Sequence, residues 1–315
     1  MKKVVITGIA GFIGFHLAKK WYPEYVIYGI DIVNINQDDI RSKRLRALTN
    51  DLEYFQVDIK DVKTLRKVLK KVKPDFIVHL AACTGISQST ISPDLYFDTN
   101  VKGFQNLLQI THELGIKKIL YASSSSVYNP NINIQFEENN NTNSPLSFYG
   151  VTKKMNELLA ESYSKTFGIN CIGMRFFTVY GSWVRPDMAA WKFMEGISKQ
   201  EYIKLYNNGE VFRDFTHISD IVNGISLLER NTIKGHQIFN IGNNSPIKVK
   251  DYLMIIADKM KMKSKIKNQQ LPNNELLYTC ADITKITKKT GWKPKVSIDD
   301  GVAEMTEWFK QYYEF

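Results

Sequence analysis

The chain has 315 residues, 43% of them apolar and 23% charged, a composition that excludes disordered, fibrous and collagen-like classes. That length suits one large two-lobed unit or two domains sharing a core, and no stretch offers the roughly 18–20 continuous apolar residues of a membrane span. The net charge of +10 raises nucleic acid as a partner, but the lysines are dispersed along amphipathic segments such as 64–73 without interleaved aromatic platforms, so neither a nucleic-acid nor a membrane partner is expected.

Met1-Lys2-Lys3 before Val4-Val5-Ile6 briefly imitates a signal peptide. Gly8, Gly11 and Gly14 interrupt the apolar run, and no small-residue cleavage site follows before Lys19-Lys20, so a cytoplasmic location is expected. Residues 4–7 read as a strand and 12–20 as the helix after it; 25–30, 52–57 and 75–81 read as further strands, the last preceded by Pro74. A helix is expected over 96–114, a strand over 118–123, a long amphipathic helix over 149–167 and a strand over 169–175. Such alternation predicts an α/β fold, a Rossmann-type doubly wound parallel sheet covered on both faces.

Beyond about residue 176 the alternation ends, and helices, Tyr-rich strands and Pro-marked loops predict a smaller C-terminal α+β lobe closing over a ligand. A helix over 219–229 and a strand over 236–241 return to the sheet. The division expected is 1–176 with 217–243 for the dinucleotide domain, and 177–216 with 244–315 for the substrate lobe. Residues 129–144, Asn-rich with Pro130 inside and Pro145 just beyond, read as a surface loop. Cys83, Cys171 and Cys280 lie far apart and in no metal-ligand spacing; each reads as a small buried apolar side chain, and no metal is expected.

Gly8-Ile9-Ala10-Gly11-Phe12-Ile13-Gly14 follows the first strand and opens the first helix. Its GxxGxxG glycines permit a tight turn and close approach of the backbone to a pyrophosphate, and the helix N-terminus supplies amide donors. Asp31 closes the second strand, where a carboxylate accepts both adenosine ribose hydroxyls and repels a 2′-phosphate, favouring NAD over NADP. Asp58-Ile59 after the third strand either faces the adenine or belongs to an ordinary helix cap, at Asp58 or Asp61.

Tyr149-Gly-Val-Thr-Lys153 puts a phenol and an ammonium one turn apart on one helix face. Tyrosine, with a pKa of about 10, is a poor base at neutral pH; an adjacent cation stabilises the phenolate and brings that pKa down. Tyr121-Ala-Ser-Ser-Ser-Ser-Val-Tyr128 ends the fifth strand, at the edge where open α/β sheets bind ligands. Ser124 is the hydroxyl expected beside the reacting oxygen, with Ser125 and Ser126 facing other sugar or carboxylate oxygens.

These pieces, with Leu80-Ala81-Ala82, Asn100, Arg213-Asp214-Phe215 and Gly291-Trp292-Lys293-Pro294, resemble the extended short-chain dehydrogenase/reductase family over nearly the whole chain. Within it, Tyr121–Tyr128, Arg175-Phe-Phe-Thr-Val-Tyr-Gly181 and Arg185-Pro-Asp-Met-Ala189 are most similar to UDP-glucuronate 4-epimerases. The resemblance implies NAD held by Gly8, Gly11, Phe12, Ile13, Gly14, Asp31, Asp58, Ile59, Leu80, Ala81, Ala82, Asn100, Tyr149 and Lys153. It implies a nucleotide-sugar substrate, its diphosphate clamped by Arg213, with Lys192, Phe193 and Tyr206 near the nucleotide. Arg185 and Thr178, with the serines, would face the sugar carboxylate. Read from the residues alone, Arg213 beside Asp214 is equally a surface pair, and Arg185 an exposed loop arginine.

Related dehydratases carry an acidic residue where Ser126 stands; hydroxyls there favour simple redox at C4 over elimination. Asn129-Pro130, Ser87 and Val184 depart from the subgroup pattern, which has glycine, arginine and glycine there. The expected chemistry is transient C4 oxidation with Tyr149 as base, Lys153 sustaining it and Ser124 orienting the oxygen. The rivals are a 4-epimerase or C4 dehydrogenase of another UDP- or GDP-sugar, and, of a different class, an NAD-binding sensor without catalysis. Apolar positions on 149–167 exceed one core face, and relatives pair through such a helix, so a homodimer is expected.

Overall fold

The computed structural model describes residues 1–22, 24–48, 52–129 and 135–313. In chain order the first half runs β1 (Lys3–Thr7), α1 (Phe12–Trp21), β2 (Val26–Asp31), α2 (Ile40–Arg46), β3 (Glu53–Gln56), α3 (Val62–Val72) and β4 (Phe76–His79). It continues with α4 (Ile86–Ile91), α5 (Pro93–Tyr96), a π-helical segment (Phe97–Lys102), α6 (Gly103–Glu113), β5 (Lys118–Ser124), α7 (Phe148–Phe167) and β6 (Asn170–Phe176). The rest is β7 (Thr178–Tyr180), α8 (Ala189–Ser198), β8 (Tyr202–Tyr206), β9 (Phe212–Arg213), β10 (Phe215–His217), α9 (Ile218–Arg230), β11 (His236–Ile241), β12 (Ile247–Lys248), α10 (Val249–Met260), β13 (Lys265–Gln269), α11 (Thr284–Thr290) and α12 (Ile298–Tyr313).

A seven-stranded parallel sheet in the order β11-β6-β5-β4-β1-β2-β3 organises these elements. All four residues of β4 are buried, as are Val4–Thr7 of β1, because helices cover both faces; continuous β-branched runs are what such strands require. Thr7 pairs with Ile30 on one side and His79 on the other, and His79 with Tyr121, so the carboxyl ends of β2, β1, β4 and β5 lie level. Strand order reverses between β1 and β4, which opens a crevice at those ends. On α3, Leu65, Val68, Leu69 and Val72 face the core while the lysines face water, and Asp61 caps its N-terminus through the Thr64 N–H.

Two expectations are corrected. The helix expected over 96–114 is broken by the π-helical segment, which carries the buried Asn100. The Asn100 amide accepts from Cys83 N (2.8 Å) and donates to Cys83 O (3.0 Å), and the extra residue in the turn aims it there. Of residues 129–144, the described part, 129 and 135–144, is not simply a surface loop. Pro130 lies outside the described residues, but Phe136 is 1% exposed, its N–H bonding Cys280 O at 2.7 Å and its carbonyl accepting from Asp282 N at 2.9 Å. An apolar ring seeking burial overrides the polar composition around it.

Compactness divides the chain into two units: Met1–Asn129 with Asn141–Arg175 and Ile225–Phe239, and Pro130–Asn140 with Phe176–Gly224 and Asn240–Phe315. The second unit holds the short ladders β7–β10, β9–β12 and β8–β13, with Phe193, Met194, Tyr252, Ile256, Met305 and Phe309 buried. Cys171 and Cys280 are buried and Cys83 is half-buried, all three unpaired. Among the described residues no helix is long and apolar enough to cross a membrane.

Candidate active site

The turn after β1 is set by backbone packing. Gly8 has φ +74°, and a Cβ there would lie 2.6 Å from Ala81 N; at Gly14 it would lie 2.3 Å from Gly8 O. Leu80 N donates to Thr7 O (3.0 Å), so β1 and the Leu80-Ala81-Ala82 segment approach as closely as glycine allows. Gly11 caps α1 without a side-chain acceptor, which leaves the first amides of the helix, those of Phe12 and Ile13, to an external anion. Asp31 accepts from Ala10 N through Oδ2 (3.0 Å) and from Ile32 N through Oδ1 (2.8 Å); burial raises its pKa against those bonds. Each oxygen retains acceptor capacity for a ribose hydroxyl. The buried Arg44 donates to Ala10 O at 3.0 Å, so the Ala10 peptide is held at both ends. These features fit a dinucleotide. Asp58 accepts from Lys60 N (2.9 Å), and Ile59 is 4% exposed, packed beside Gly103.

Ser147 caps α7 through Gly150 N (3.0 Å), and Tyr149 N donates to Ser89 Oγ (3.1 Å) from α4. A Cβ on Gly150 would stand 2.2 Å from Ser126 O, so glycine alone lets the start of α7 close on the serine turn. Lys153, 1% exposed, donates to Ala122 O at 2.9 Å, and its Nζ lies 5.9 Å from the Tyr149 ring centre. Burial draws its pKa down to about 8. Ser124 Oγ accepts from Ser126 N at 3.1 Å, which directs its own O–H elsewhere as a donor. Ser125 and Ser126 are half-buried beside it. Tyr149, Lys153 and the serine run are thus brought together within one unit.

Sequence reasoning missed the scaffold behind them. Glu157 and Arg175, each 2% exposed, pair bidentately at 2.8 and 2.9 Å. Ser123 Oγ donates to Glu157 Oε1 (2.7 Å) and Arg175 donates to the Tyr128 hydroxyl (2.9 Å), so both ends of the serine run and α7 share one buried network. Asn100 Nδ2 reaches Thr152 Oγ1 (3.1 Å), whose hydroxyl donates to Tyr149 O (2.8 Å). Arg175, Ser123, Tyr128 and Asn100 had a signal, as parts of family motifs; Ser89, Gly150, Thr152 and Glu157 are ordinary residues whose partners lie far away in sequence.

The second unit holds the remaining predicted residues. Arg213 pairs with Glu275 (3.1 Å) rather than Asp214. Asp214 is fully buried and accepts from Asn243 N, Asn244 N and Ala281 N at 2.6, 3.0 and 2.8 Å; burial pushes its pKa up to about 6. The surface-pair alternative is therefore not what the structure contains. Thr178 begins β7, half-buried, and its N–H bonds Asp214 O at 3.1 Å. Lys192 is exposed on α8, Phe193 is 4% exposed and packs near Tyr252, and Tyr206 is 41% exposed at the end of β8. Arg185 forms a bidentate pair with Asp187 at 3.0 and 2.9 Å, following the buried Val184. Ser87, the departure on α4, is exposed.

A family model described as GDP-mannose 4,6 dehydratase matches residues 5–305. Protein CapI of Staphylococcus aureus is 35% identical over 99% of this chain and 99% of its own. UDP-glucuronate 4-epimerase 4 of Arabidopsis thaliana is 37% identical, over 98% of this chain and 76% of that one. The crystal structure of UDP-glucuronic acid 4-epimerase from Bacillus cereus, in complex with UDP-glucuronic acid and NAD, matches with a TM-score of 0.92 at 29% identity, covering 99% of this chain and 100% of that one.

Proposed function

The chain belongs to the extended short-chain dehydrogenase/reductase family, in the group described as GDP-mannose 4,6 dehydratase, and on that premise we propose that it is an NAD-dependent 4-epimerase interconverting UDP-glucuronic and UDP-galacturonic acid. The observation that carries this reading is the buried Lys153 ammonium beside Tyr149, with the Ser124 hydroxyl donor nearby and hydroxyls alone where an eliminating enzyme needs an acid. Bound NAD supplies reversible oxidation at C4. Tyr149 Oη takes the C4 hydroxyl proton and returns it after the sugar has turned over. Lys153 sustains the phenolate by charge, and Ser124 donates to the reacting oxygen in both directions.

In this reading the cofactor is held by Gly8–Gly14, Asp31, Asp58, Ile59, Leu80–Ala82 and Asn100. Arg213 clamps the diphosphate, with Lys192, Phe193 and Tyr206 near the nucleotide. Ser125, Ser126, Thr178 and Arg185 hold the carboxylate, since a planar guanidinium suits it. That hold matters because a 4-keto uronate is a β-keto acid and loses carbon dioxide when its C5–C6 bond aligns with the carbonyl π system. The test is incubation with UDP-glucuronic acid without added cofactor, with products resolved by NMR. UDP-galacturonic acid at a stable ratio with little pentose is expected. Untouched uronate with turnover of UDP-glucose would overturn the reading.

A homodimer through α7 belongs to the same proposal. Leu158 on that helix is 54% exposed, and Leu95 and Phe97 on neighbouring elements are 47% and 43% exposed. Sedimentation should give twice the chain mass, and Leu158→Glu should give the monomer. The three unpaired cysteines accord with a cytoplasmic address.

A further inference from the structure

The loop that carries Arg185 is fixed at its backbone. Trp183 is held at φ +64°, an unfavourable conformation for a bulky residue, and its ring packs 5.5 Å from Trp308 and 6.2 Å from Tyr312 on α12. Ser182 Oγ donates to Glu304 at 3.1 Å, Val184 is fully buried, and Met188 N closes on Arg185 O at 3.1 Å. What the backbone leaves open is the direction of the long Arg185 side chain, and Asp187 closes that choice. Its two oxygens accept from Nε (3.0 Å) and Nη2 (2.9 Å), across the single stiff residue Pro186. A guanidinium has five N–H donors in a rigid fork. With the Nε/Nη2 edge engaged, the adjoining Nη1/Nη2 edge is oriented and remains competent for a second carboxylate.

We propose that Asp187 is a positioning residue that presets Arg185 as a carboxylate clamp, and so sets the preference for uronate over neutral sugar; this rests on the function proposed above. An unguided arginine would have to be ordered on each binding event, at a cost in side-chain entropy. The pair is partly exposed, 30% and 52%, so its effect is modest.

The experiment compares binding of UDP-glucuronic acid and UDP-glucose to wild-type protein, Asp187→Asn and Asp187→Glu, with the pentose fraction measured alongside. The pentose by-product forms as a 4-keto sugar when the C5–C6 bond breaks, carbon dioxide leaves, and the bonding pair becomes an enolate conjugated with C4 that is then protonated at C5; return of hydride to C4 gives the pentose. For Asp187→Asn the dissociation constant for UDP-glucuronic acid should rise about threefold to fivefold, the size of an exposed pair. UDP-glucose binding should stay the same, the pentose fraction should increase, and Asp187→Glu should recover part of the loss. Unchanged or tighter uronate binding overturns the proposal, because Asp187 would then be a bystander or a competitor. Equal weakening for both sugars overturns it as well, since that is a general structural effect, and so does a wild type without uronate preference. Failure of the wider reading is separate: it is seen in wild-type product formation alone.

Discussion

At the scale of single residues, Lys153 joins the chemistry of the site to the stability of the fold. Its ammonium is buried and its pKa drawn down to about 8, below the value of about 10.4 in an unfolded chain. Between these values the unfolded chain binds more protons than the folded one, so stability rises with pH across that window, and the full penalty of the buried charge is present below about 8. Support of the phenolate needs the charged form, so turnover should decline as pH passes about 8. Lys153→Met should lose that limb of the pH–rate profile, lower kcat by about 10²–10⁴, and melt at a higher temperature at pH 7. Tyr149→Phe should lower kcat over a similar range while leaving nucleotide-sugar affinity within about twofold.

The element that matters most is α7, and its placement depends on contacts that the sequence hides. Tyr149 and Lys153 were legible because their chemistry lies within one turn of one helix. The glycine turn and the serine run were legible for the same reason: unusual residue types packed into a few positions. Ser89, Thr152, Glu157 and Gly150 were not, since a buried serine, threonine or glutamate reads like a solvated one until its partner is known. The π-helical segment was hidden too, because one extra residue leaves apolar spacing intact on either side. Two variants test the scaffold. Gly150→Ala must push α7 away from Ser126 O and should reduce kcat at least tenfold, by about the energy of overpacking. Glu157→Gln leaves Arg175 buried without its counter-charge and should cost about 3–5 kcal/mol in denaturant unfolding.

For the whole molecule, acid stability has an identifiable weak point. His79 at the end of β4 is fully enclosed, stacked on Phe104 and bonded through Nδ1 to Thr7 Oγ1 at 2.8 Å, and burial pulls its pKa down to about 3. Its folded pKa lies below the unfolded value of about 6.5, so the unfolded chain takes up a proton that the folded chain refuses between the two. Stability should therefore fall as pH drops from about 6.5 towards about 3, and the His79 ring should remain neutral by NMR at pH 5. The parallel, doubly wound sheet was legible from alternating strands and helices, whereas the anchoring of Phe136 was not, because composition speaks for the segment and burial for the ring. The central claim is reversible oxidation at C4 of a UDP-uronate. The most direct measurement uses UDP-glucuronic acid bearing deuterium at C4, in ordinary water without added cofactor. UDP-galacturonic acid that retains the deuterium at C4 is the predicted result; product with hydrogen at C4, or no product, would contradict the account.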